Sequence, residues 1–152
     1  MTAPPIICDT GALLDYLVAA APDHQAFRVA IDGARARYVP GLVLAEVDYF
    51  LRHERDGMRA LVDDLRRGAF LYAPPTDAQL VRALEVDAAF PDLELGLVDG
   101  TIVALAEELD VLRLATRDVR DFAAVRLADG RAFDLVVAPT RAERKPRRRR
   151  RP

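Results

Sequence analysis

Pro5-Ile6-Ile7-Cys8-Asp9-Thr10-Gly11-Ala12-Leu13-Leu14 is an apolar run that stops on a carboxylate, then a hydroxyl, then glycine, and then enters a helix-forming sequence. Ile6 to Cys8 reads as a short buried strand with Asp9 at its carboxyl end. Asp9 or Thr10 can cap the helix that follows, and Gly11 eases the turn between strand and helix. In an open α/β sheet the crevice beyond the carboxyl ends of the strands is where ligands bind. The function of the chain therefore turns on which other side chains arrive at that edge.

Downstream, short apolar runs alternate with segments of helical period. Leu13, Leu14 and Leu17 form an amphipathic stripe that ends before Pro22, and Asp23 can cap a second helix carrying Phe27 and Ile31. Tyr38-Val39 reads as a second strand, followed by a helix from about Leu42 to His53 that Asp56-Gly57 breaks. Met58, Leu61, Val62 and Leu65 have helical spacing up to Gly68. Phe70-Leu71-Tyr72 is a third strand, and Thr76 or Asp77 caps a helix with Leu80, Val81, Leu84 and Ala88 at helical spacing. Residues 91–96 read as a loop. Val98, Ile102, Leu105 and Leu109 then mark the clearest helix, as one apolar stripe. Leu112 to Ala115 is a fourth strand and Ala132 to Val137 a last one. This alternation predicts an α/β fold: a doubly wound parallel sheet of four to five short strands flanked by helices.

Four acids occupy places that such a fold brings to one edge. Asp9 ends the first strand, Glu46 lies in the opening turns of the helix after the second, Asp99 starts the strongest helix, and Asp118 follows the fourth strand directly. Asp99 and Glu46 also interrupt apolar surroundings, and acids seldom sit on an inward face without a partner. Carboxylates gathered in one pocket repel, so some take up protons or a cation neutralises them. His24 and His53 lie far from these motifs and are expected at the surface. Oxygen-only ligands favour hard ions, Mg²⁺ or Mn²⁺. One or two such ions activate water and stabilise the leaving oxygen of a phosphodiester. Competing readings are ordinary: Asp9 as a helix cap, Asp99 as a first-turn acid favoured by the helix dipole, and Glu46 as a surface acid. Asp15, Asp48, Asp63 and Asp64 read as solvated. Tyr16, Tyr49 and Phe50 read as core or dimer contacts.

Charge divides the chain in two. Arg141 to Pro152 holds eight basic residues and one acid, a net of +7, so with the whole chain at −2 the first 140 residues carry −9. The domain is expected to span residues 1–140. The stretch from Arg144 to Arg151, all charge around Pro146, is expected to have no fold of its own. Arg147, Arg148, Arg149, Arg150 and Arg151 are candidates for tracking nucleic-acid phosphates in a salt-dependent way, which an acidic body would make useful. The single cysteine, Cys8, excludes an internal disulfide framework. No apolar run approaches the roughly 20 residues that span a bilayer. No basic region precedes an apolar segment at the N-terminus, and the expected location is the cytoplasm.

The motifs carry a resemblance. Asp9-Thr10-Gly11-Ala12-Leu13-Leu14 resembles the opening motif of the PIN-domain ribonucleases, and Ala45-Glu46-Val47 resembles their internal glutamate motif. Leu97-Val98-Asp99-Gly100-Thr101-Ile102 is similar to their third motif, and Leu114-Ala115-Thr116-Arg117-Asp118-Val119-Arg120-Asp121-Phe122 to their fourth. In size and in its short opening segment the chain is most similar to the VapC toxins of type II toxin–antitoxin pairs. The resemblance covers about residues 5–138. It implies a Mg²⁺- or Mn²⁺-dependent endoribonuclease with Asp9, Glu46, Asp99 and Asp118 as metal-holding acids. It also implies a homodimer, a cognate antitoxin protein, and tRNA, rRNA or mRNA as substrate. Thr10 and Thr116 match family hydroxyls that hydrogen-bond the acids. Asp121 is the alternative to Asp118, since some members carry their acid at that position.

Other classes fit less well. A receiver-like Mg²⁺-binding signalling domain needs a pair of acids at the first strand and a lysine across the site, but here Cys8 precedes Asp9 and the one lysine is Lys145. A haloacid-dehalogenase-type phosphatase needs an acid where Gly11 stands, and the dinucleotide-binding glycine fingerprint is absent. A non-catalytic RNA-binding member of the same fold is the remaining alternative, and the presence of all four acids weighs against it.

Overall fold

The computed structural model describes residues 2–140. In chain order the elements are β1 (Ile6–Cys8), α1 (Thr10–Leu17), α2 (His24–Asp32), β2 (Arg37–Pro40), α3 (Gly41–Phe50), α4 (Arg55–Arg66), β3 (Leu71–Ala73) and α5 (Asp77–Ala89). A 3₁₀ turn (Pro91–Leu93) follows, then α6 (Gly96–Leu109), β4 (Arg113–Ala115), α7 (Val119–Ala124) and β5 (Asp134–Leu135). The five strands form one parallel sheet in the order β3-β2-β1-β4-β5. This is the predicted doubly wound α/β architecture.

The central strand is the most buried. Successive strand residues point to opposite faces, yet Ile6, Ile7 and Cys8 are all 0% exposed, so helices cover both faces of the sheet there. Ile7 stands opposite Tyr38 on β2 and Leu114 on β4, and Cys8 opposite Ala115. Phe27, Phe70, Phe122, Leu61 and Ile102 fill the core around this seam. The outer strands are only two or three residues long, and Leu71 and Tyr72 on β3 are exposed; short edges limit pairing with other chains.

Strand order locates a reversal. From β1 the chain steps outward to β2 and β3, then returns to lay β4 on the other side of β1. The crevice at such a switch point is the ligand site of doubly wound folds. Asp9 leaves β1 and Thr116 leaves β4 at that crevice, and the Asp9 N–H still donates to the Ala115 carbonyl at 2.9 Å.

Several local expectations are corrected. Asp56 and Gly57 do not break a helix: they lie inside α4, and the break falls at 51–54, after α3 ends at Phe50. Residues 91–96 are not all loop, since a 3₁₀ turn occupies Pro91–Leu93 and Gly96 already belongs to α6. The last strand is Asp134–Leu135 rather than 132–137. Helix α6 is not a one-sided amphipath: every residue from Asp99 to Ala106 is buried, whereas Leu109, assigned to its inner stripe, is exposed. A helix apolar all round is one enclosed on all sides. Thr76, not Asp77, caps α5, through a full capping box with Gln79.

Candidate functional site

Asp9 is the N-cap of α1, and its Oδ1 accepts the Thr10 N–H at 2.7 Å. Its Oδ2 accepts the Thr116 hydroxyl at 2.7 Å, and Thr116 Oγ1 in turn accepts the Asp118 N–H at 2.9 Å. The two strands that flank the switch point are thus tied together by one carboxylate and one hydroxyl. From the other side, the Thr10 hydroxyl donates to Glu46 Oε1 at 2.7 Å, which fixes an α3 side chain to the first residue of α1.

These contacts set the electrostatics. Burial pushes the Asp9 carboxyl up from 3.8 to about 6; the Thr116 hydroxyl and the Thr10 N–H pull it down, while the charges of Glu46 and Asp118 raise it further. Asp9, Glu46 and Asp118 therefore share one electrostatic environment. Asp99 is buried in the first turn of α6, a helix that packs against α3 and β2. Among the described residues no three acidic, histidine or cysteine side chains stand close enough together, as they lie, to hold a metal ion. The fit of the donor set to a hard cation is therefore chemical: oxygen donors only, three of them buried and Glu46 half-buried, with the charges of Glu46 and Asp118 raising the Asp9 carboxyl.

The two candidates of the fourth motif differ in place. Asp118 is buried and caps α7, its Oδ1 receiving the Asp121 N–H at 3.4 Å. Asp121 is half-buried in the first turn of α7. Only Asp118 of the two is among the charges that raise Asp9. Arg147 to Arg151 lie outside the described residues.

Three residues outside the candidate set stand beside this site. Arg117, between Thr116 and Asp118, is 8% exposed, and its Nη1 donates to Asp15 Oδ2 and, at 2.8 Å, to Asp23 Oδ2. Asp15, expected on a solvated face, is thus buried in an ion pair, and its carbonyl oxygen accepts from His24 Nδ1 at 2.8 Å, leaving His24 only half exposed. Asp23, expected to cap α2, makes no capping bond; its carboxylate accepts the Thr140 hydroxyl at 2.6 Å and the Thr140 N–H at 3.0 Å. The Thr140 hydroxyl and the Arg117 guanidinium hold the Asp23 carboxyl below the usual range. Burial opposes the Arg117 charge, but Asp23 and Asp15 more than compensate and raise its pKa. The one available signal was the arginine lodged between two motif residues; its partners lie about a hundred positions away in sequence, beyond any local pattern.

Gly11 also changes meaning. It lies in the first turn of α1, and a Cβ there would stand 3.0 Å from Arg117 Cγ and 3.1 Å from its Cδ. Glycine at position 11 leaves room for the Arg117 stem to cross the helix. The concave surface beside α4, lined by Arg55, Met58, Arg59, Val62 and Asp63 and about 400 Å³ in volume, includes none of the four acids. No helix among the described residues is long and apolar enough to cross a membrane.

Known proteins share this sequence pattern and fold. Residues 6–127 match the PIN domain family. The chain is 34% identical over 134 residues to ribonuclease VapC26 of Mycobacterium tuberculosis, a match covering 86% of this chain and 99% of that protein. Its fold is similar to the crystal structure of Mycobacterium tuberculosis VapC20, a sarcin–ricin-loop-cleaving toxin, with a TM-score of 0.66 at 20% identity, covering 78% of this chain and 94% of that one. It is also similar to a chain of Rickettsia felis VapBC2 bound to a DNA fragment from its promoter, with a TM-score of 0.59 at 13% identity, covering 80% and 92%. Because the family match spans most of the sequence and the VapC26 match runs nearly end to end, the protein belongs to the PIN-domain family and, within it, to the VapC ribonucleases.

Proposed function

We propose that the protein is the endoribonuclease toxin of a toxin–antitoxin pair, and that Asp9, Glu46, Asp99 and Asp118 hold one or two Mg²⁺ or Mn²⁺ ions at the switch-point crevice. The observation that carries this reading is the raised Asp9 carboxyl, buried between two strands with Glu46 and Asp118 adding to its repulsion. A site of this kind is stabilised by a cation. When bound, the ion supplies Lewis acidity that lowers the pKa of a water and draws charge from the scissile phosphodiester.

The chain's own residues do the orienting. Thr116 aims Asp9 by donating to one of its oxygens and holds the Asp118 backbone with the same hydroxyl. Thr10 holds Glu46 toward the crevice. Asp99, buried in the first turn of α6, supplies the remaining acid of the proposed set. Asp118 is taken as the fourth acid in preference to Asp121 because its charge reaches Asp9. RNA enters with its phosphates toward the acids, and the basic residues Arg147 to Arg151 add affinity for the flanking backbone. The protein acts in the cytoplasm, is blocked by a cognate antitoxin, and forms a homodimer. Tyr49 and Phe50, exposed at the end of α3, are aromatic surface available to a second copy.

The test is paired. Induced expression should arrest growth and generate new RNA ends, and Asp99→Asn should abolish both while purifying as a folded protein. Harmless wild-type expression together with intact RNA would reject the toxin reading.

A further inference from the structure

Thr116, Arg117 and Asp118 leave β4 as three consecutive buried residues. The outer two are tied into the acidic crevice: Thr116 donates to Asp9 and accepts from the Asp118 N–H. The middle one is tied elsewhere. Its stem packs over Gly11, and its guanidinium is gripped by Asp15 on α1 and Asp23 ahead of α2. Gly11 and Asp15 are four residues apart and so share one face of α1. That face is shaped for the arginine, with no side chain where the stem crosses and a carboxylate where the fork ends. Asp23 is fixed in turn by both Thr140 bonds, so the anchor does not float.

The geometry points to Arg117 as a positioning residue for the metal site: its clamped guanidinium sets the backbone turn that presents Thr116 and Asp118 to Asp9. The inference rests on the proposed metal reading and adds an unassigned residue to it. Nη1 donates to both carboxylates at once, and the planar guanidinium, with its stem pinned over Gly11, holds that atom in a direction that a flexible ammonium at the same place does not. Arg117 acts through its neighbours and touches neither ion nor RNA. A pre-set turn lowers the ordering needed when the cation binds, so loosening it weakens the cation while leaving the same donor atoms in place.

The experiment is a Mn²⁺ titration of the full chain by thermal unfolding, with no RNA present. Wild type should rise in Tm by mass action, and fitting that rise gives the dissociation constant, the midpoint of Mn²⁺ occupancy. Arg117→Lys should keep the far-UV spectrum of the fold but move that midpoint at least tenfold higher. Asp23→Asn, which keeps an acceptor for Thr140 but loses the charge, should move it in the same direction, and it serves where Arg117→Lys does not fold. Arg131→Lys, at an exposed ion pair with Asp110 and Asp129, should leave the midpoint unchanged. A purely structural Arg117 would lower the Tm of the metal-free protein and leave the midpoint in place, and that result in both variants overturns the inference while sparing the metal site. Absence of any Mn²⁺ shift in wild type overturns both.

Discussion

At the scale of single residues, Asp9 is where folding opposes the proposed metal-holding role. Its carboxyl is raised from 3.8 to about 6 in the folded protein, chiefly by burial. A folded pKa above the unfolded one means that the folded state takes up a proton between those two values. The associated stability is present in full below about pH 4 and is lost as pH rises through about 6. Asp9→Asn should therefore unfold at higher denaturant than wild type at pH 8, by up to about 3 kcal/mol from roughly two pKa units. The gain should vanish near pH 4. Equal stability of the two proteins at both pH values would mean that Asp9 is not buried as an acid. The same carboxylate must be ionised to hold a cation, so Mg²⁺ or Mn²⁺ binding should weaken as pH falls through about 6, read as a rising midpoint in metal titrations. The hydrogen-bond partners of this residue, the Thr10 N–H and the Thr116 hydroxyl, were legible in the motif Asp9-Thr10 and the later Thr116-Arg117-Asp118. The Asp15 and Asp23 partners of Arg117 were not, because each looks locally like an ordinary surface or capping acid. Only the three-dimensional meeting of α1, the turn before α2 and the end of β4 gives them their roles.

At the scale of elements, two helices repay comparison. Helix α1 was legible from its cap and its leucines, and α6 from its apolar period, yet α6 is enclosed on every side rather than along one stripe. A period assigns a preferred face; it does not report a second helix packed on the opposite one. Here that neighbour is α5, and it approaches so closely that a Cβ on Gly100 would lie 2.6 Å from the Ala83 carbonyl oxygen and 2.8 Å from its Cα. Backbone atoms cannot turn aside as a side chain can. Gly100→Ala should cost about 1–3 kcal/mol from overpacking, even after the helix-propensity gain of about 1 kcal/mol on replacing glycine. Gly11→Ala meets the Arg117 side chain at 3.0–3.2 Å rather than backbone atoms at 2.6–2.8 Å, so its loss in urea unfolding should be smaller. The reverse ranking would mean that the α5–α6 contact is looser than described.

At the scale of the whole molecule, the parallel α/β architecture was legible because alternating strands and helices admit few arrangements. The position of the crevice followed from the order of the strands, which no single motif contains. Charge is the other global property: the first 140 residues carry −9 and the last twelve +7. An acidic body repels RNA, so binding of a single-stranded RNA should depend on the basic stretch. Deleting residues 145–152 removes six cations. It should weaken binding and reduce the slope of log affinity against log salt by at most about 4, at roughly 0.7 per phosphate contact. Binding and slope that do not change would show the stretch to be inert.

The Thr140 clamp gives that charge an address. Because Asp23 holds the Thr140 hydroxyl and N–H, and Arg117 holds Asp23, Thr140, from which the last twelve residues continue, stands one side chain away from the loop that carries Asp118. Whatever course they take, they cannot extend beyond about 40 Å from that point, at 3.3–3.6 Å per residue. Connectivity alone therefore keeps Arg147 to Arg151 within about 40 Å of Thr140.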